Sequence, residues 1–207
     1  MVKLFVEGGG DSRAINVKCR KGFSDFLEKS GLKGKMPRVV ASGTRQNAKR
    51  DYITDIESGK DAMLLVDSEE AVAPIEADEK YAPENWEPWK HLKSRDGWDK
   101  PAKADSRDCH LMVQVMETWF IADIDGLKKF YKDWFSEKSL PQNNEIESIP
   151  KDTVIKCLKV ATKGKYKKGE HSYELLSQID PSIVAERSPW AKRFIKLLAA
   201  KMLIKMR

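Results

Sequence analysis

Acidic residues stand at three points of this 207-residue chain where an apolar run stops. Glu7 follows Val2 to Val6 and opens onto Gly8, Gly9 and Gly10. Asp67, Ser68 and Glu69 follow Leu64 to Val66, and Glu117 follows Leu111 to Met116. Residues i and i+2 of an extended chain project to the same side, so Asp67 and Glu69 aim into one volume. Carboxylates gathered in one place repel one another unless protonated or bridged by cations. Oxygen-only ligands suit hard cations, Mg2+ or Mn2+, over zinc. An acidic site with a basic surface nearby is the electrostatic plan of metal-dependent phosphodiester cleavage. Any one acidic residue at a strand end is ordinarily a helix cap or a solvated loop residue, and Asp11 holds an N-cap position. Convergence of several strand ends is what sets this group apart.

Other nucleotide and nucleophile chemistries fit poorly. The dinucleotide fingerprint G-x-G-x-x-G is met by Gly8 and Gly10, but Arg13 takes the third glycine's place. A carboxylate directly before the turn would repel a pyrophosphate, and no G-x-x-x-x-G-K-[ST] occurs. The glycines instead let the backbone turn tightly and leave Glu7 clear at the sheet edge. Ser/His/Asp or Cys/His nucleophile sets have no local signature.

The elements that must position these acids alternate. Apolar runs at Val2 to Val6, Arg38 to Ala41 and Ala62 to Val66 lack polar alternation, as strands covered on both faces do. Between them, Ile15, Cys19, Phe23, Phe26 and Leu27, then Ala48, Tyr52, Ile53 and Ile56, recur at helical spacing. Asp11 or Ser12 caps the first helix; Gly31 and Gly34 stop it. Parallel strands joined by right-handed crossovers place all their C-terminal ends on one edge, where open α/β sheets carry their chemistry. The fold class is therefore doubly wound α/β: an open, mainly parallel four-stranded Rossmann-like sheet flanked by helices. Residues 70–108 hold four of the nine prolines and three of the six tryptophans, including Pro83, Trp86, Trp89 and Trp98, and read as a long irregular insertion. Leu111 to Met116 is the fourth strand, and Leu127, Phe130, Tyr131, Trp134 and Phe135 form a helix stripe. These complete an α/β domain over residues 1–135. After a polar linker from Leu140 to Ser148, helices are expected at Asp152 to Ala161, at Ser172 to Ile179, and from Ser188-Pro189 onward. They make a helical C-terminal region, residues 150–207, packed on the domain.

Charge follows the same division. The net charge is +6, yet residues 150–207 carry 14 Lys/Arg against 5 Asp/Glu, which leaves residues 1–149 at −3. An acidic body with a basic extension suits a protein that holds cations in one place and a polyanion in another. No apolar run approaches a membrane span and no secretory leader is legible; three cysteines without paired spacing, Cys19, Cys109 and Cys157, point to a reducing, cytoplasmic setting.

Leu4-Phe5-Val6-Glu7-Gly8 with Asp11, followed some sixty residues later by Leu65-Val66-Asp67-Ser68-Glu69, resembles the Toprim domain. That domain is shared by topoisomerases, bacterial primases, overcoming-lysogenization-defect nucleases and a ribosomal RNA maturase. Met116-Glu117-Thr118-Trp119 and Lys165-Tyr166-Lys167-Lys168-Gly169 with Ser172 extend the likeness to a small stand-alone bacterial Toprim-like family. The genes of that family often lie beside an ATPase in defence regions. The resemblance implies that Glu7 acts as acid/base and metal ligand, and that Asp67 binds Mg2+. Glu69 departs from the usual aspartate, which leaves two-metal occupancy open. Glu117 matches an additional acidic position of the nuclease branch. Among the basic residues before the Ser172 helix, the resemblance selects Lys168 for charge on the scissile phosphate, with Lys165 nearby.

Arg45, His91, Arg95, Lys192 and Arg193 complete the candidate substrate contacts. A lone histidine such as His91 is more often structural, and a lysine-rich loop more often merely solvated. Trp86, Trp89 and Trp98 could stack on bases, yet tryptophan more often anchors a loop to the core. The expected function is a Mg2+- or Mn2+-dependent nuclease on DNA or RNA, an anti-phage effector with an ATPase partner and no membrane association. The competing reading is a non-catalytic module that binds nucleic acid or a partner. A phosphohydrolase of mononucleotides suits the basic extension less well.

Overall fold

The computed structural model describes residues 1–10, 12–72, 85–169 and 171–204. Asp11, Pro83 and the middle of the expected insertion lie outside the described residues. Strands β1 (Lys3–Val6), β2 (Arg38–Ala41), β3 (Ala62–Asp67) and β4 (Cys109–Met112) form one sheet in the order β2-β1-β3-β4, every pair parallel. The chain is thus α/β with an open, Rossmann-like parallel sheet.

Helix α1 (Arg13–Leu27) starts where Ser12 Oγ accepts the Ile15 N–H, and it buries Cys19, Phe23, Phe26 and Leu27. Helix α2 (Arg45–Glu57) is capped in the same way by Thr44 and buries Ala48, Tyr52 and Ile56. The strands are apolar on both sides because both sheet faces are covered. Leu4, Val6, Met63 and Leu65 pack with Phe23, Trp119 and Leu175; Phe5, Leu64 and Val66 pack with Tyr52, Trp89 and Leu111.

Two expectations change. The span 70–108 is not wholly irregular: α3 (Pro88–Asp96) lies within it, with Pro88 at its first turn and left-handed Gly97 at its end. Its tryptophans anchor it. Trp89 is buried near Tyr52, Trp86 meets Trp190 edge-on at 4.9 Å, and Trp98 lies beneath Arg45. The fourth strand also ends early, at Met112. Gln114, at φ +63, turns the chain, because its N–H donates to Ser68 Oγ (2.7 Å) and its carbonyl accepts the Glu69 N–H (2.8 Å). Those cross-chain bonds override the strand propensity of Val113 and Val115. Glu117 therefore opens the short helix α4 (Glu117–Ala122) instead of closing a strand.

Helix α5 (Ile124–Tyr131) follows directly, but the expected stripe breaks at Lys132, and Trp134 is exposed. Helices α6 (Lys151–Ala161), α7 (Ser172–Gln178), α8 (Pro181–Arg187) and α9 (Pro189–Ile204) follow. Their Leu158, Leu175, Phe194 and Leu198 share one core with β1 and β3. Helix α7 crosses α1 so closely that a Cβ on Gly22 would sit 2.5 Å from the Tyr173 carbonyl. No helix among the described residues is long and apolar enough to cross a membrane.

Candidate functional site

Strand order 2-1-3-4 places a topological switch point between β1 and β3, where the connections leave in opposite directions and a crevice opens. Asp67 is the last residue of β3, and Glu7 follows β1 with its N–H on the Leu65 carbonyl at 3.0 Å. Both acids therefore stand at the mouth of that crevice, a cleft of about 930 Å³. Gly8 and Gly9, at φ +132 and +88, carry the chain away at once. Tyr173 Oη accepts the Gly9 N–H, and a Cβ on Gly8 would clash with that same oxygen.

Three of the four expected acids meet, with Glu69 placed by a left-handed turn beyond β3 and not by extended chain. Carboxylate oxygens of Glu7, Asp67 and Glu69 all lie within 4.8 Å of one another. Glu7 Oε2 accepts the Asp67 N–H at 3.0 Å, and Asp67 Oδ1 accepts the Met116 N–H at 2.8 Å. Glu69, held at φ +68, gives one oxygen to Lys151 Nζ at 2.5 Å. Glu117 is fully buried and lines the cleft: Tyr166 Oη donates to its Oε1 at 2.6 Å, while its Oε2 has no hydrogen-bond partner. Lys168 Nζ stands 3.8 Å from that orphan oxygen. Ser172 Oγ accepts the Gly169 N–H and lies 2.9 Å from the Tyr166 hydroxyl, holding the lysine loop to the cluster.

The electrostatics follow from burial and crowding. Burial raises Glu7 to about 7, against the opposing pull of the Asp67 N–H and Arg45. Asp67 is driven well above the usual carboxylate range by burial first, then by repulsion from Glu7 and Glu117. Glu69 goes the other way: burial opposes its charge, but the Lys151 hydrogen bond, with Arg45 and Arg95, brings it below the usual range. Burial pulls Lys168 down, yet Glu117, Asp67, Glu7 and Glu69 together carry it above the ordinary lysine value.

The other candidates divide. Arg45 lines the cleft, but its guanidinium is engaged, with a fork on Asp96 at 2.8 and 2.9 Å and Nε on the Asp67 carbonyl. His91 Nε2 donates to the Ser68 carbonyl at 2.9 Å and so props the Asp67–Glu69 turn. Arg95 pairs with Asp96 and reaches Glu69 at 3.9 Å. Three expected substrate contacts lie elsewhere. Lys165 stands over the Trp134 ring and Lys192 is exposed on α9, neither lining the cleft. Arg193 is fully buried, donating to the carbonyls of Cys109 (2.9 Å) and Ser106 (2.7 Å), because a core position on α9 faces the carbonyl-rich start of β4. Sequence reasoning missed Lys151, Tyr166 and Asp96. Each acts through a partner more than forty residues away, and no local pattern marks them.

Oxygen donors without nitrogen or sulfur, one of them orphaned in a buried wall, fit a hard divalent cation. No curated protein and no solved structure is matched by the chain. Over residues 6–199, which include every acid of the cluster, the sequence matches a described family, and the chain thus belongs to DUF4276, a domain of unknown function.

Proposed function

We propose that this chain is a divalent-metal-dependent nuclease of the Toprim-like type, cleaving phosphodiester bonds in DNA or RNA. One observation carries the reading: Glu7, Asp67 and Glu69 bring oxygens within 4.8 Å of one another at the sheet's switch point. Buried Glu117, its Oε2 without a hydrogen-bond partner, lines the same cleft as a fourth acid outside that group of three. Burial and that crowding are offset only in part by Lys151, Lys168, Arg45 and Arg95, and Glu7 and Asp67 accordingly hold protons unusually tightly unless a cation is shared. Glu7, Asp67, Glu69 and Glu117 would hold Mg2+ or Mn2+, which when bound polarises the phosphate and stabilises the leaving oxygen.

The chain's own residues supply the rest. With its proton affinity near 7, Glu7 can take and return a proton at physiological pH. Lys168 brings a full positive charge to the cleft wall, where a scissile phosphate would sit. Backbone donors fix one oxygen on each acid, the Met116 N–H on Asp67 Oδ1 and the Asp67 N–H on Glu7 Oε2. By resemblance, an ATPase partner regulates the activity in a defence setting, which co-purification of the two proteins would test.

The deciding experiment is a cleavage panel of plasmid, linear duplex, single-stranded DNA and RNA with Mg2+ or Mn2+. Asp67→Asn and Glu7→Gln are expected to abolish cleavage while leaving a folded protein. Both variants cutting as well as wild type would remove the assignment. A specific feature favours the alternative, a non-catalytic nucleic-acid module: Lys151 already neutralises one oxygen of Glu69. Binding that persists in EDTA, with no cleavage of any substrate, would support that reading.

A further inference from the structure

Most large aromatic side chains here are buried, and Trp134 is not. Helix α5 buries Leu127 and Tyr131, the chain then swings at Lys132 (φ +50), and Phe135 turns back toward the core. Trp134 is thereby put out to solvent, 52% exposed. Its frame is tied down: Ser136 N–H donates to the Ala161 carbonyl at 2.7 Å, and Lys163 Nζ to the Asp133 carbonyl at 2.9 Å. Two ammonium groups stand over the ring, Lys165 at 4.3 Å and Lys163 at 5.9 Å from its centre. Exposure alone is ordinary for a single side chain; what sets Trp134 apart is a fixed frame and two cations on its open ring.

The same lysines lead to the cleft. Gly164 (φ +77) and Gly169 (φ +82) bracket a loop carrying Lys165, Lys167 and Lys168, and Lys168 lines the cleft. From Lys165 to Lys168 the backbone spans at most about 11 Å. A nucleic-acid strand laid along the loop would carry its phosphates past these ammonium groups.

We infer that Trp134, with Lys163 and Lys165, is a stacking platform for an unpaired base of single-stranded nucleic acid, whose backbone follows the Lys165–Lys168 loop into the acidic cleft. The direction of the strand rests on the nuclease reading; the platform itself does not. An ammonium over an exposed indole is a weak contact on a flexible stem, while a stacked base covers the whole ring face. A base can therefore displace the two lysines onto its flanking phosphates, with their charges still engaged. Every base has such a face, so the platform is tolerant of sequence. An intact duplex offers no inner base face, so the platform selects single strands.

The test is binding of fluorescein-labelled oligo-dT, oligo-U and a duplex of equal length, in EDTA and low salt. Trp134→Ala is expected to weaken single-strand binding about tenfold and duplex binding by less than about twofold, with Trp134→Phe recovering most of the loss. The pair Lys163→Gln and Lys165→Gln should lower the log–log salt slope for single strands by about 1.4. Comparing oligo-dT with oligo-U distinguishes DNA from RNA as the strand's source. No single-strand binding by wild type, an unchanged Trp134→Ala, or equal losses for single strand and duplex would each overturn the platform. Because EDTA removes cleavage from the measurement, a failed platform leaves the nuclease reading standing, and an inactive cleavage panel leaves the platform standing.

Discussion

The Asp67 backbone N–H donates to Glu7 Oε2 at 3.0 Å, so the acid that ends β1 is clamped to the end of β3 beside it. Two carboxylates that repel each other are thus held together by the sheet's own register, Val6 opposite Leu65 one residue earlier. Strand pairing, not attraction between the side chains, assembles the cluster. Its consequences can be measured.

Asp67→Asn should stabilise the metal-free protein. Asparagine keeps the oxygen that accepts the Met116 N–H and removes a charge that burial and Glu7 oppose. The expected gain is about 1–2 kcal/mol near pH 8. The same substitution should abolish stabilisation by Mn2+, which for wild type at a hundred times Kd would be about 2.7 kcal/mol, reversed by EDTA. Thermal melts with and without Mn2+ read both effects; a variant that is less stable yet still responds to Mn2+ contradicts them.

Cation binding at this site must displace protons. Glu7 is raised to about 7, so below that pH a cation competes with its proton. The Mn2+-induced rise in Tm should grow between about pH 6 and about pH 8, and Glu7→Gln should flatten the profile. A pH-independent shift in wild type would count against Glu7 as a ligand.

His110 sets an acid limit on stability. It is fully buried, its Nδ1 accepts from Arg193 at 3.0 Å, and burial followed by the charges of Arg193 and Lys201 drives its pKa well below 6.5. The folded state keeps it neutral while the unfolded chain binds a proton below about 6.5. Its contribution is therefore complete above that pH and is lost as pH falls toward the folded-state value. Because Glu7 and Asp67 act in the opposite sense over the same range, the His110 effect is read by difference: His110→Gln, which keeps an acceptor for Arg193, should gain in urea midpoint relative to wild type as pH falls from about 7.5 to about 5.5.

Tyr166→Phe removes the hydroxyl that donates to Glu117 Oε1, so neither oxygen of a fully buried carboxylate keeps a hydrogen bond. The expected cost is about 1–3 kcal/mol in denaturant unfolding. A Tyr166→Phe protein as stable as wild type would show that this hydroxyl is not what satisfies Glu117.

Arg193→Met tests a reassignment from substrate contact to internal strut. It strips donors from two buried carbonyls and from His110, so a loss of about 3 kcal/mol is expected from denaturant unfolding. Single-strand affinity of the folded fraction should stay within about twofold of wild type. A stable variant with weakened binding would restore the residue to the surface role its charge suggests.

Helix and strand identity was readable in the first seventy residues because burial on both sheet faces leaves its mark directly in the local pattern: Ala62 to Val66 is apolar throughout, and Cys19, Phe23 and Phe26 share one stripe. Beyond residue 108 the same rules misplaced Glu117 and Trp134. Val113 and Val115 are good strand residues held in a turn by Ser68 and Glu69, and Trp134 fits a helix stripe that Lys132 interrupts.

What the amino-acid order determined alone is that acids follow apolar strands, and that parallel strands carry their ends to one edge; both depend on near neighbours in the chain. Tertiary structure decided the rest: that Glu117 is walled in by Tyr166, that Lys151 neutralises Glu69, that Arg193 is buried and Trp134 is half-exposed under two lysines. Each of those depends on which distant segment comes to lie alongside. Burial and charge pairing belong to that contact, and no local spacing encodes them.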